Sequence, residues 1–69
     1  MPTEHEVVAL TQDRPEDDLR IGDVGAIVHC YRDKEVYEIE FIDEHGRTKC
    51  VTSVPASQIM KLNFLSLSA

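Results

Sequence analysis

Two cysteines, Cys30 and Cys50, and three histidines, His5, His29 and His45, are the residues of this 69-residue chain that could serve as nucleophile, general base or metal ligand. A Cys–His catalytic pair needs a thiolate within hydrogen-bond reach of the imidazole and an exposed setting that lowers the thiol pKa. His29 and Cys30 are neighbours in an apolar, β-branched run, and neighbours on a strand point to opposite faces. Cys50 is expected two strands away from Cys30, about 10 Å at a strand spacing of about 4.8 Å, which is beyond disulfide reach. Core packing is the expected role of both thiols. The histidines fall at the terminus, on a strand and at a hairpin tip, without Cys-x-x-Cys or any comparable ligand spacing. Neither a metal nor another cofactor is expected.

The carboxylates offer more. Glu38 and Glu40 share one face of a strand, but an open sheet surface has no desolvated pocket to push their pKa values apart, as paired catalytic acids require. Asp13, Glu16, Asp17 and Asp18 lack the alternating ligands and central glycine of an EF-hand loop. With no nucleophile–base–orienter set in view, the chain is read as a binding module rather than an enzyme. Asp13, Glu16, Asp17, Asp18, Glu38 and Glu40 are the candidate contacts for a protein partner, and their charge asks for a basic one. The alternative is that they only keep a small domain in solution.

Overall charge points the same way. Thirteen acids against seven bases give a net charge of −6. That charge opposes approach to phosphate backbones and anionic membrane surfaces while favouring basic partners, chiefly through faster association. The apolar fraction of 42% is that of a folded chain. A domain this short buries only about 60% of the surface its unfolded chain exposes, enough for one core. Two cysteines are too few for a secreted disulfide framework. The opening residues Met1 to Glu6 carry acids where a signal peptide needs basic and then apolar residues, and no apolar run approaches the ~18 residues of a membrane span. A cytoplasmic location is expected.

The elements that must position these groups are short strands. Val7 to Leu10 is the first, followed by a polar stretch from Thr11 to Arg20 that reads as a long acidic loop. Gly22 and Gly25 bracket a short turn that marks a bend or a bulge before a strand over Ala26 to Tyr31, and the charged connector Arg32 to Glu35 returns the chain as a hairpin. In the third strand Tyr37, Ile39 and Phe41 alternate with Glu38 and Glu40, a sheet with one wet face. Asp43 to Gly46 suits a four-residue turn with glycine in the left-handed position. That turn predicts Ile42 opposite Arg47, Phe41 opposite Thr48, Glu40 opposite Lys49, Ile39 opposite Cys50 and Tyr37 opposite Thr52. An ion pair then lies on the wet face and Cys50 in the core. Val54 to Ile59 predicts one helical turn opened by Pro55, and Met60 to Leu62 a last strand.

The expected fold is therefore all-β: a small five-stranded SH3-like barrel with one short helical turn before the last strand. It forms a single domain over 1–69 with its core at about 6–62. The string Val7 to Leu10, Pro15-Glu16, Gly22 to Gly25, Tyr37 to Phe41, Asp43 to Gly46 and Pro55 to Ile59 resembles a family of small uncharacterised bacterial proteins with an SH3-like or KOW-like barrel. The resemblance covers about Glu6 to Leu62. It implies that fold and no established activity or cofactor, with an antitoxin-like or immunity-like partnership as the hint it carries. A KOW-type nucleic-acid role is the alternative, supported by fold likeness and opposed by charge and by the scarcity of exposed aromatics. A further alternative is self-assembly, with the uncharged tail Asn63 to Ala69 pairing across a homodimer.

Overall fold

The computed structural model describes residues 6–31, 33 and 35–62. Five strands form one antiparallel sheet: β1 (Val7–Leu10), β2 (Val24–Tyr31), β3 (Val36–Ile42), β4 (Thr48–Pro55) and β5 (Ile59–Lys61). Their order in the sheet is β4-β3-β2-β1-β5. A 3-10 turn, Ala56–Gln58, joins β4 to β5, and another, Pro15–Asp17, stands between β1 and β2. The all-β class, the five strands and the helical turn before the last strand are those expected. The Pro15–Asp17 turn is an addition.

That order dictates a curved sheet. β4 and β5 are its two edges, so a flat sheet would hold them about 19 Å apart at about 4.8 Å per spacing. The 3-10 turn between them advances only about 2 Å per residue and covers less than half that distance. The sheet must roll until its edges approach, which gives the molecule its barrel-like form. Inside lie Val8 and Leu10 of β1, Ile27 of β2, Tyr37, Ile39 and Phe41 of β3 and Val54 of β4, with Leu19 added from the first loop.

Rolling brings backbones together, and one glycine records it. Gly25 sits between Val8 of β1 and Phe41 of β3, and a Cβ there would lie 2.7 Å from the Glu40 carbonyl oxygen and 2.7 Å from Ile39 Cγ2. Gly22 serves a different need: its φ of 91° is left-handed, within a turn closed by the Asp23 amide donating to the Arg20 carbonyl at 3.0 Å. The two glycines therefore do not bracket a single bend. One makes the turn and the other lies inside β2, which begins at Val24, two residues ahead of the expected start. β2 also carries a bulge between Ile27 and His29.

The β3–β4 register corrects the expected one. The turn has the predicted chemistry: the Gly46 amide donates to the Asp43 carbonyl at 3.0 Å and Gly46 is left-handed at φ 79°. Asp43 Oδ1 also accepts from the His45 and Arg47 amides at 2.8 and 3.0 Å, drawing Arg47 into the loop. The first strand pair is thus Ile42 with Thr48, one residue beyond the predicted pair. A bulge then adds a second residue of offset, so Phe41 faces Cys50, Ile39 faces Thr52 and Tyr37 faces Val54. Two single shifts sum to an even number, so the inward face keeps its parity and Cys50 still packs against the core. The predicted Glu40–Lys49 ion pair is lost. Glu40 accepts instead from the Thr48 hydroxyl at 2.5 Å, and Lys49 Nζ lies 3.6 Å from Asp23.

Two boundaries also move. Pro55 is the extended end of β4 rather than the first residue of the turn, and β5 starts at Ile59, one residue early. The tail 63–69, with the dimer contact expected of it, and His5 lie outside the described residues. Among the described residues no helix is long and apolar enough to cross a membrane. Replacing Gly25 by alanine drives a methyl group into backbone. It is expected to lower stability by about 2–3 kcal/mol, read as a fall in the urea midpoint; a midpoint equal to wild type would contradict the close approach.

Candidate functional site

The acidic loop is built around a cation. Pro15 opens the Pro15–Asp17 turn at the position where a missing amide costs nothing, and Glu16 and Asp17 occupy its first turn. Asp18 ends it in the left-handed conformation, φ 56°, with its amide donating to the Pro15 carbonyl at 3.1 Å. Arg14 and Leu19 then close the loop on itself through reciprocal backbone bonds of 2.9 and 3.0 Å. Leu19, only 2% exposed, inserts into the barrel core and pins the loop to it.

The Arg14 guanidinium fixes the rest. Its Nε donates to Asp17 Oδ2 at 2.8 Å, Nη1 to Gln58 Oε1 at 2.7 Å and Nη2 to the Ser53 carbonyl at 3.2 Å. Nη2 also lies 2.8 Å from Asp17 Oδ2 and 3.8 Å from Glu16 Oε2. With its side chain 11% exposed, Arg14 ties the first loop to the β4 edge and to the link that carries the chain into β5. A planar fork of donors suits this multipoint contact better than an ammonium would.

The six expected contact residues therefore divide. Asp17 is held by Arg14, and Asp13 Oδ1 accepts from the Ile21 amide at 2.8 Å, so both carboxylates shape the loop. Glu16 and Asp18 are exposed on it. Asp13, Pro15, Asp18, Leu19 and Arg20 line a shallow, open depression of about 250 Å³, and Ile21 stands exposed next along the chain. Glu38 and Glu40 lie elsewhere, on the outward face of β3, where Glu38 accepts from the Ser53 hydroxyl at 2.6 Å. The loop is anchored through Leu19 on the inward side, and it comes nearest to Glu38 at Ser53, whose carbonyl accepts from Arg14 and whose hydroxyl donates to Glu38.

The thiols and imidazoles are dispersed too. Cys30 packs against the core while His29 faces outward, its ring edge-on to Tyr31 at 4.6 Å between centroids. Both cysteines are free and half-buried. Burial pushes the Cys50 thiol above its ordinary pKa, with the nearby Asp17 carboxylate adding to the rise and Lys49 and Arg14 partly opposing it. A thiol held protonated is a poor nucleophile and a poor metal ligand. Among the described residues no three His, Cys, Asp or Glu side chains gather as a metal-binding group.

Arg14, Leu19 and Ile21 are the parts of this site that the sequence reading did not single out. A signal for Arg14 was present: it precedes Pro-Glu-Asp, the start of a helical turn, and stands three residues before Asp17, where opposite charges meet. Leu19 and Ile21, single apolar residues among polar neighbours, carried none.

A protein-family model described as Domain of unknown function (DUF4926) matches residues 4–61, a span that takes in all five strands and the Arg14 loop. The chain belongs to this family. No curated protein and no solved structure matches it.

Two outcomes follow from the loop's construction. Arg14→Met, which keeps the aliphatic stem but strands Asp17, is expected to cost about 2–3 kcal/mol in urea denaturation; a loss under about 0.5 kcal/mol, the size of a neutral surface change, would contradict the clasp. For Cys50 the folded state favours the protonated thiol, so the native chain binds the proton more tightly than the unfolded one. Stability is then full below the ordinary thiol pKa of about 8.5 and declines as pH rises above it. Iodoacetamide at pH 9 should accordingly alkylate Cys50 more slowly in the native chain than in urea, whereas equal rates would refute the shift.

Proposed function

We propose that this domain is a non-enzymatic protein-interaction module, an SH3-like barrel whose first loop offers Glu16 and Asp18 to a basic protein partner. The observation that carries the reading is the way Arg14 is spent. The Arg14 guanidinium is engaged by Asp17, Gln58 and Ser53, and Leu19 is buried, so the loop is pre-shaped while Glu16 and Asp18 remain exposed beside a depression and an exposed Ile21. A pre-organised loop loses little freedom on binding. The net charge of −6 favours a cationic partner and gives no support to a KOW-type role on nucleic acid.

The non-enzymatic part of the reading is supported by the opposite facing of His29 and Cys30 and by the protonated state of Cys50. An antitoxin-like or immunity-like role, in the cytoplasm where both thiols stay reduced, is the sharpest form of the proposal. The strand order with its helical turn before β5 supports the SH3-like assignment.

The double variant Glu16→Gln/Asp18→Asn removes both charges while leaving the Arg14 bonds to Asp17, Gln58 and Ser53 in place, giving up only the 3.8 Å contact with Glu16, and it keeps the left-handed backbone at Asp18, which asparagine tolerates. Full-length chain immobilised in host lysate should retain a basic protein that the double variant loses, with an unchanged melting temperature. Equal retention by both chains would remove the loop from the proposal.

A further inference from the structure

The outward face of the sheet is not the wet face that Glu38 and Glu40 suggest. Cross-strand pairing sets Val51, Glu40, Ala26 and Val7 in one row over β4, β3, β2 and β1. The adjacent row runs from Met60 of β5 through Ala9 of β1 to Val24 of β2, with Ile42 of β3 next, one step beyond the Gly25–Phe41 pair. Seven of these eight residues are apolar and the eighth is Glu40. Ile42, Val51 and Met60 are 47%, 51% and 53% exposed, Val7, Val24 and Ala26 are half-buried, and Ala9 between them is buried. Isolated exposed aliphatics are ordinary on a protein surface, but an apolar patch that runs on across neighbouring strands marks an interaction surface.

The charge within the patch selects its occupant. Glu40 stands between Val51 and Ala26, and Glu38 follows in the next row beside His29 and Ser53. Lys49 of β4 lies 3.6 Å from Asp23. A second copy laid face to face about a twofold axis would bring two such acidic patches together, and like charges across an interface are costly. Residues 63–69 contain no charged side chain and could not answer Glu40. What fits is a segment of another protein that combines aliphatic side chains with a Lys or Arg.

We infer that the outward face of β1–β4 is a docking surface for a basic, amphipathic protein segment. Its aliphatic side chains lie over Val7, Val24, Ala26, Ile42 and Val51, and a Lys or Arg meets Glu40. This rests on the reading of the domain as a binder of basic proteins, but places a contact on the sheet rather than the loop.

The test is an NMR titration of full-length labelled chain with a synthetic peptide of about 18 residues alternating Leu and Lys at helical spacing, against the same peptide with Glu for Lys. The Leu/Lys peptide should shift the amides of Val7, Val24, Ala26, Glu40 and Val51, and the Leu/Glu peptide should not. Val51→Asp should weaken binding about tenfold and Glu40→Gln, which keeps the side chain's size, about threefold, as expected for an exposed apolar contact and a partly exposed charge. Shifts confined to Asp13 to Ile21 would overturn the sheet surface while leaving the basic-partner reading intact. No shifts with either peptide would overturn both. Equal binding of the two peptides, or a doubling of mass in sedimentation abolished by Val51→Asp, would overturn the assigned occupant.

Discussion

Two strands at opposite edges of one sheet are joined by three residues, and most of the molecule follows from that short connection. Because Ala56–Gln58 cannot bridge a flat five-stranded sheet, the sheet must roll, and rolling defines an inside small enough for one layer of side chains. Glycine at position 25 is a direct consequence, since the β1–β2–β3 crossing leaves no room for a Cβ. So is the economy of the core, in which Phe41 and a handful of aliphatics account for the fully buried volume.

The place where the rolled edges approach is also where the first loop is tied down. Backbone groups on an edge strand need partners or cover, and Arg14 supplies one by donating to the Ser53 carbonyl of β4 while bonding Gln58 in the link. The same side chain organises the acidic turn through Asp17. The barrel seam and the proposed recognition loop are thus one construction, and part of the loop's negative charge serves that construction. Of its four acids, Asp13 and Asp17 hold the loop's shape; Glu16 and Asp18, exposed like Asp13, are the pair proposed to meet a partner.

The two faces of the sheet show a different division. The inward face is filled at a period of two, as a half-buried sheet requires. The outward face, where the same alternation should place polar groups, does so at Glu38 and Glu40 of β3 and, beside Glu38, at His29 of β2 and Ser53 of β4. The other rows put valine, alanine, isoleucine and methionine there. A barrel of this size has no internal use for those side chains, which is why the face is read as one that meets another molecule.

The amino-acid sequence by itself determined the class and the elements. Alternation over Tyr37 to Phe41 identified β3 and its buried face, because a period of two is a local property of an extended chain. Asp43 to Gly46 specified its turn, because only a left-handed glycine suits that position. Pairing across strands was beyond local chemistry: the Asp43 side chain recruited Arg47 into the loop and a bulge followed, moving Phe41 from Thr48 to Cys50 while parity survived. Only the tertiary structure decided which acids of the first loop are spent on Arg14 and the loop backbone, because that depends on Ser53 and Gln58, some forty residues away, arriving beside it. It also decided that Val7, Val24, Ile42, Val51 and Met60 share a surface. Each is an ordinary strand residue in its own segment, and they become a patch only when the order β4-β3-β2-β1-β5 sets their rows side by side.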